Sequence, residues 1–302
     1  ICSLCFDKAD NNKFWRLIMT EKKTSVSRRS FLKGSLAAGA ALSAPALWIQ
    51  GAYAGGHGFR NDPTNKATVT LGFNVPQTGP YADEGADELR AFKLAVKHLN
   101  GEGDGGMMQT MKPMNLKGNG ILGKKVDFVT GDTQTKSDAA RASAKRMIEK
   151  DGVIMFSGGS SSGVAIAVQA LAQEMGTIFM AGLTHSNDTT GKDRRRYGFR
   201  HFFNAHMSGA ALAPVLQAEY GSDRQVYHLT ADYTWGWSQE KSIQDATAAQ
   251  AKWGTVNAVR TPLGAGDFSQ YITPVLNSGA DVLVLNHYGK DCLLYTSDAA
   301  DE

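Results

Sequence analysis

Four short segments carry residue types that can hold a small molecule. The first is Ser157-Gly158-Gly159-Ser160-Ser161-Ser162-Gly163. Glycine lets a backbone approach a bound group closely, while serine hydroxyls and the free N–H groups of a helix start present donors to an anion. A carboxylate suits this arrangement, because several neutral donors hold it without a buried counter-charge. Phosphate competes, but the P-loop lysine is missing and G-x-G-x-x-G does not fit. A serine-capped turn without any ligand is the other reading. Leu183-Thr184-His185-Ser186-Asn187-Asp188 adds further hydroxyls that would lie beside the first turn. Asp232-Tyr233-Thr234-Trp235-Gly236-Trp237 and Asn286-His287-Tyr288 add aromatic surface of the kind that lines pockets.

Patterns for making or breaking bonds are missing. The chain has no G-x-S-x-G elbow, no H-E-x-x-H and no acidic pair spaced for glycosidase work. Of seven histidines, His185 and His287 fall near the four segments, and either could pair with Ser160 in a secreted hydrolase. Nothing in the spacing demands that pair, so the chain is read as a non-enzyme with no cofactor and no metal. The three cysteines, Cys2, Cys5 and Cys292, all lie near the ends. The body must therefore fold by burial, without a disulfide or a thiolate metal site. Formal net charge is +3, and Arg194-Arg195-Arg196 is the one basic run in the body. With no aromatics interleaved it reads as a solvated loop, which argues against a nucleic-acid partner.

The elements that must position these segments alternate strand and helix. Strands are expected at 67–75, 125–130, 153–156, 177–181, 225–230, 256–260 and 281–285. A helix over 84–100 carries Leu89, Phe92, Val96 and Leu99 on one face, and one over 162–175 carries Val164, Val168, Leu171 and Met175. Ser137 or Asp138 is the expected cap of a helix over 138–150 and Gly152 its stop, and Gly176 is the expected stop of the helix over 162–175. Further helices are expected at 210–220, 238–253 and 268–278, with Trp253 in the core. This alternation means parallel sheets covered on both faces, with ligands beyond the carboxyl ends of the strands. The irregular stretch 182–200 divides the pattern into an N-terminal lobe (67–203) and a C-terminal lobe (204–291), with a crossover near 202–205. The glycine- and methionine-rich stretch 101–120 reads as a surface insertion.

The ends carry other information. Ser27-Arg28-Arg29-Ser30-Phe31-Leu32-Lys33, then a short apolar run ending in Ala52-Tyr53-Ala54, has the form of a twin-arginine export signal cut before Gly55. The run is broken by Pro45 and is shorter than the roughly 20 apolar residues of a membrane span. A start at Met19 makes 19–54 the signal and 1–18 upstream sequence, and places the product, folded before export, in the periplasm. Residues 292–302 resemble translated adaptor sequence, so the natural chain is expected to continue past Asp291, with the C-terminal part missing.

Taken together, Gln77-Thr78-Gly79-Pro80-Tyr81-Ala82, Ile121 to Asp127, Gly131-Asp132-Thr133-Gln134, the turn at 158–163 and Asp232 to Gly236 make 67–291 resemble the periplasmic substrate-binding proteins of ABC transporters, in the branched-chain amino acid (Leu/Ile/Val) family. The resemblance implies an α/β type I periplasmic binding protein, two Rossmann-like lobes with parallel sheets joined by a hinge. It implies a monomer that delivers a small molecule, an amino acid above all, to permease and ATPase subunits; a sensor subunit for a receptor or kinase is the alternative. It also implies that Ser160, with Gly159 and Ser161 beside it, and Leu183, Thr184 and His185 hold the ligand's carboxylate. Trp235 and Tyr288 then line the pocket, and Tyr81 and Glu84 stand near its mouth. His185 stands where relatives often carry threonine, so Thr184 is the substitute contact, and the acid that holds an ammonium group is expected beyond Asp291.

Overall fold

The computed structural model describes residues 60–102 and 118–292. The upstream segment, the export signal, most of the 101–120 insertion and the tail from 293 onward lie outside the described residues.

Strand β1 (Thr68–Val75) carries its large apolar residues at every second position and is buried throughout its carboxyl half, as a strand covered on both faces is. Val69, Leu71, Phe73 and Val75 form one core with Leu89 and Val96 of helix α1 (Ala82–Leu99). The Phe92 ring stacks on Phe73, with centroids 4.6 Å apart. Gly72 faces the other way, where a Cβ would meet Phe156 at 2.9 Å and Met147 at 3.0 Å, so only glycine fits there. Strand β2 (Lys125–Asp132) pairs with β1 in parallel, from Thr68 opposite Lys125 to Val75 opposite Asp132.

Helix α2 (Ser137–Glu149), β3 (Met155–Gly158), helix α3 (Ser162–Met175), β4 (Ile178–Ala181) and β5 (Gly198–Arg200) complete the first lobe. Its five strands run parallel in the order β2-β1-β3-β4-β5. Ala144 and Met147 of α2 pack with Val164, Val168 and Leu171 of α3 against Phe156 and Phe179, covering the second face. The direction of winding reverses between β1 and β3, and a crevice opens at such a point beyond the strand ends.

The second lobe centres on β6 (Gln225–Ala231), flanked in parallel by β7 (Gly254–Thr261) and β8 (Val282–Asn286). Helix α4 (Ala205–Tyr220) packs along α5 (Thr234–Ala251), and α6 (Ser269–Leu276) precedes β8. Val226, Ile243, Trp253 and Val284 form its core, and the Trp253 indole N–H donates to the Gly221 carbonyl at 2.8 Å.

Four differences from the sequence expectation bear on the site and its supports. Strand β5 lies inside the stretch read as irregular, because three residues suffice to extend a sheet whose edge already exists. Helix α4 starts at Ala205 rather than 210, since the Asn204 side chain accepts the Met207 N–H at 2.9 Å and caps it. Helix α5 starts at Thr234 rather than 238, which puts Trp235 in a helical turn instead of a loop. Ser137 is the first residue of α2, and Lys136 occupies the cap position without a side-chain bond, so neither Ser137 nor Asp138 caps it. Gly176 closes α3 at φ 66°, as its type predicted.

Candidate functional site

The turn after β3 is held in an unusual backbone shape. Gly158 and Gly159 have φ of 126° and 112°, and Ser160 follows at 43°. A Cβ at Gly158 would overlap the Asn74 carbonyl, while the Gly159 amide donates to that same oxygen at 3.2 Å. A left-handed serine is a strained residue, and such strain persists where the surroundings enforce it. Here it aims the buried Ser160 hydroxyl at Glu88 Oε2, to which it donates at 2.8 Å. Ser161 stands at the N-cap of α3 and its side chain makes no capping bond. The first amides of a helix have no intrahelical acceptor, so donors remain at this end. The Ser162 hydroxyl oxygen accepts from the His185 and Ser186 amides at 3.2 and 3.1 Å. That ties the loop after β4 to the serine turn, side by side.

Glu88 comes from α1, and sequence reasoning missed it. It is buried, and no described cation forms an ion pair with it. Burial pushes its carboxyl up to about 7, with the Ser160 hydroxyl and the Leu183 amide pulling in the opposite direction. Its second oxygen, Oε1, lies against Gly182, where a Cβ would overlap it, and makes no hydrogen bond of good geometry. Half-buried Leu183 and fully buried Thr184 follow on the same loop, and the Thr184 hydroxyl has no hydrogen-bond partner.

His185 turns aside. Its ring lies 4.8 Å from Phe202 and 4.6 Å from Phe203, and burial, with the nearby Arg200 guanidinium, pushes its pKa down to about 4. His287 instead meets the Thr261 hydroxyl through Nε2 at 2.8 Å. The hydroxyl of Ser160 therefore faces a carboxylate and neither histidine, and the Ser/His hydrolase pair is not assembled.

The opposite wall is aromatic and spans both lobes. Tyr81, after β1, donates through its hydroxyl to that of Tyr233, after β6, at 2.9 Å. Tyr288, after β8, sits edge-on to Tyr81 at 5.1 Å and 6.2 Å from Trp235. Burial pushes all three tyrosine hydroxyls upward, so they stay neutral donors and acceptors; Glu84 and Glu88 add to the shift at Tyr288. Glu84, half-buried one turn before Glu88, borders Gly289, and burial raises its carboxyl. The loops close over one another nearby: the Ser186 hydroxyl contacts those of Thr234 at 3.1 Å and Ser238 at 2.9 Å, and Asn187 Nδ2 donates to Ser242 at 3.1 Å. Ser160, Ser161, Gly159, Leu183, Thr184, Tyr81, Glu84, Trp235 and Tyr288 thus gather at the facing strand ends, whereas the His185 ring packs on phenylalanines. Tyr233 was within a segment singled out by sequence, but its bridging role became visible only in three dimensions.

A groove of about 400 Å³ lies elsewhere, at the amino ends of β1 and β2, lined by Lys93, Lys97, Asn100, Lys125 and Phe128. No residue of the cleft reaches it.

Two parallel-sheet lobes of the α/β class thus meet at their strand ends through hydroxyl, carboxylate and aromatic side chains. The family model described as periplasmic binding protein matches residues 68–301, and the chain belongs to that family, with its type I fold. Residues 25–45 match the twin-arginine translocation signal, so the chain is exported by that pathway to the periplasm. Among curated relatives, Leu/Ile/Val-binding protein homolog 7 of Brucella abortus is 22% identical over 245 residues, covering 77% of this chain and 55% of the relative. A Burkholderia mallei periplasmic binding protein superposes with a TM-score of 0.66 at 24% identity, covering 78% of this chain and 57% of that one. A Rhodopseudomonas palustris ABC-transporter solute-binding protein, solved with 4-hydroxybenzoate, gives 0.64 at 24% identity, with 78% and 58% covered. The chain spans about half the length of the curated relatives it matches.

Proposed function

We propose that this chain is the solute-binding subunit of an ABC importer, which captures an amino acid or a similar small carboxylated or amide solute and delivers it to the membrane permease. The observation that carries this reading is the meeting of the strained serine turn with an aromatic wall from the other lobe, Tyr81 bonded to Tyr233. The solute's carboxylate docks on the Ser161 hydroxyl and the first amides of α3, where the helix end favours negative charge. Trp235 and Tyr288 then close over its side chain as the lobes swing together. No bond is made or broken. Hydrogen bonds to a charged group contribute about 1.5–3 kcal/mol each, and micromolar capture needs about 8 kcal/mol in all.

The Leu/Ile/Val-binding names of the relatives support an amino acid. A second reading, an aromatic carboxylate, draws support from the tyrosine–tryptophan wall and from the relative solved with 4-hydroxybenzoate. Titration calorimetry against l-amino acids and hydroxybenzoates tests the proposal. Ser161→Ala removes a charge-assisted contact and Trp235→Ala part of the apolar cover, so each should weaken the best binder by about tenfold, while the chain stays folded. Unchanged affinity in both variants, or ester or amide turnover that Ser160→Ala abolishes, would refute it.

A further inference from the structure

The loop between β1 and α1 is where the first lobe meets the second. Pro80 lies against Gly264, after β7, where a Cβ would meet its ring at 3.2 Å. The Tyr81 hydroxyl donates to Tyr233, after β6, and the Tyr81 ring packs on Tyr288 and Gly289, after β8. The loops after β6, β7 and β8 therefore all meet residues 80 and 81. Resting on the reading that the two lobes close on a solute, we infer that Asp132, the last residue of β2, is the positioning residue of this latch. It holds the 77–81 loop where it meets the second lobe, and so sets how far the lobes rest closed.

Three observations carry this. The Asp132 carboxylate ties two loops together. Oδ1 accepts the amides of Gln77 at 2.8 Å, Thr78 at 3.2 Å and Gln134 at 2.8 Å, and Oδ2 accepts the Thr78 hydroxyl at 2.6 Å. Neither the Gln77 nor the Thr78 amide has a backbone acceptor among the described residues. Partial burial pushes the Asp132 carboxyl up, but the Thr78 hydroxyl and the three amides outweigh it and hold it below the ordinary aspartate range.

The two loops also fit at backbone distance. Gly79 has φ 91°, and a Cβ there would meet the Gln134 carbonyl oxygen at 2.8 Å. The loop after β2 is itself strained, with Gln134 and Thr135 at φ 52° and 58°, a region that a β-branched residue rarely enters. Such a shape persists where the surroundings enforce it. Here Asp132 takes the Gln134 amide, the Thr133 hydroxyl takes the Thr135 amide at 3.3 Å, and the Thr133 amide donates to the Val75 carbonyl at 3.0 Å. Tyr81 stands at the N-cap of α1 without a side-chain capping bond, so the loop that precedes it fixes its place. Asp132 thus backs that loop with the end of β2.

The test uses the full chain and needs no solute. In Asp132→Ala, amide exchange at 77, 78 and 134 should quicken about tenfold or more, as lost charge-assisted bonds imply. X-ray scattering should give a radius of gyration at least as large as that of Tyr81→Phe. Joining the two changes should enlarge it no further, because a displaced loop no longer brings the Tyr81 hydroxyl to Tyr233. Asp132→Asn keeps an oxygen for the three amides and should hold the wild-type radius. Thr78→Val removes the hydroxyl bond alone and should move exchange and radius the same way by less, so it carries the test if Asp132→Ala misfolds. Faster loop exchange with an unchanged radius would make Asp132 a local support only and overturn the inference. A radius that grows additively with Tyr81→Phe would overturn it too, since the effect would then lie elsewhere in the fold. Calorimetry of the wild type with l-leucine and 4-hydroxybenzoate separates this result from the function. Binding of either keeps solute capture standing whatever the radius does, and binding of neither counts against capture while the solute-free radius still decides the latch.

Discussion

Replacing Glu88 with glutamine should change stability in a way that depends on pH. In the unfolded chain this carboxyl ionises near 4.5, and in the fold burial holds it up to about 7. Between those values the native chain binds more protons than the unfolded one, so Glu88 makes the fold less stable as pH rises from 4.5 to 7, and nothing more is lost above that. At 1.36 kcal/mol per unit, its contribution falls by about 2.5 kcal/mol between pH 5 and pH 8. His185, His228 and His287 act in the other direction: each is held down to about 4, chiefly by burial, so each adds stability as pH rises toward 6.5. The wild-type profile mixes these effects, but the difference between wild type and Glu88→Gln isolates one carboxyl. Glutamine keeps an acceptor for the Ser160 hydroxyl and sets its amide nitrogen near the Leu183 amide, a mismatch costing about 1 kcal/mol at every pH. That cost cancels when the two pH values are compared. Urea unfolding followed by tryptophan fluorescence should show the variant gaining roughly 2–3 kcal/mol on wild type between pH 5 and pH 8. A difference that stays constant within about 0.5 kcal/mol would refute the burial of an ionisable Glu88.

Tyr81→Phe strips the buried Tyr233 hydroxyl of its cross-lobe donor, a loss of about 1–3 kcal/mol from the closed form. X-ray scattering should show a larger radius of gyration without solute, and an unchanged radius would contradict the bridge. Gly182→Ala drives a methyl into Glu88 Oε1 and should cost about 1–3 kcal/mol in urea unfolding, where unchanged stability would count against the geometry. In the second lobe, Arg260 donates to buried Glu240 at 2.6 and 3.0 Å. Arg260→Met leaves that acid with the Thr230 hydroxyl and a long contact from Gln244, and should cost about 3 kcal/mol in urea unfolding, at the low end for a broken buried pair because the arginine is partly exposed.

The sheet-and-helix order and the serine turn were legible because their signals are local. Val69, Leu71, Phe73 and Val75 alternate, Val164, Val168 and Leu171 recur at helical spacing, and glycines precede the serines. Strand β5 was not, because its three residues are a strand only by pairing with β4. The start of α4 depended on one Asn204 cap in a stretch read as a crossover. Ser160 was singled out as a hydroxyl that could face an anion, yet its partner is an acid 72 residues earlier in the chain, beyond the range of spacing arguments. A clue to Glu88 did exist. It shares the buried stripe of α1 with Gly85, Leu89 and Val96, and a carboxylate on an apolar face is out of place unless something holds it.

Crystals of the full chain grown with the tightest-binding probe of the calorimetric panel would test the clamp itself. Density for the solute should lie between Ser161 with the first turn of α3 on one side and Trp235 and Tyr288 on the other, with the two lobes closed upon it. Solute found instead in the groove beside Lys93 and Lys125, with the cleft still sealed by its own tyrosines, would contradict capture between the lobes.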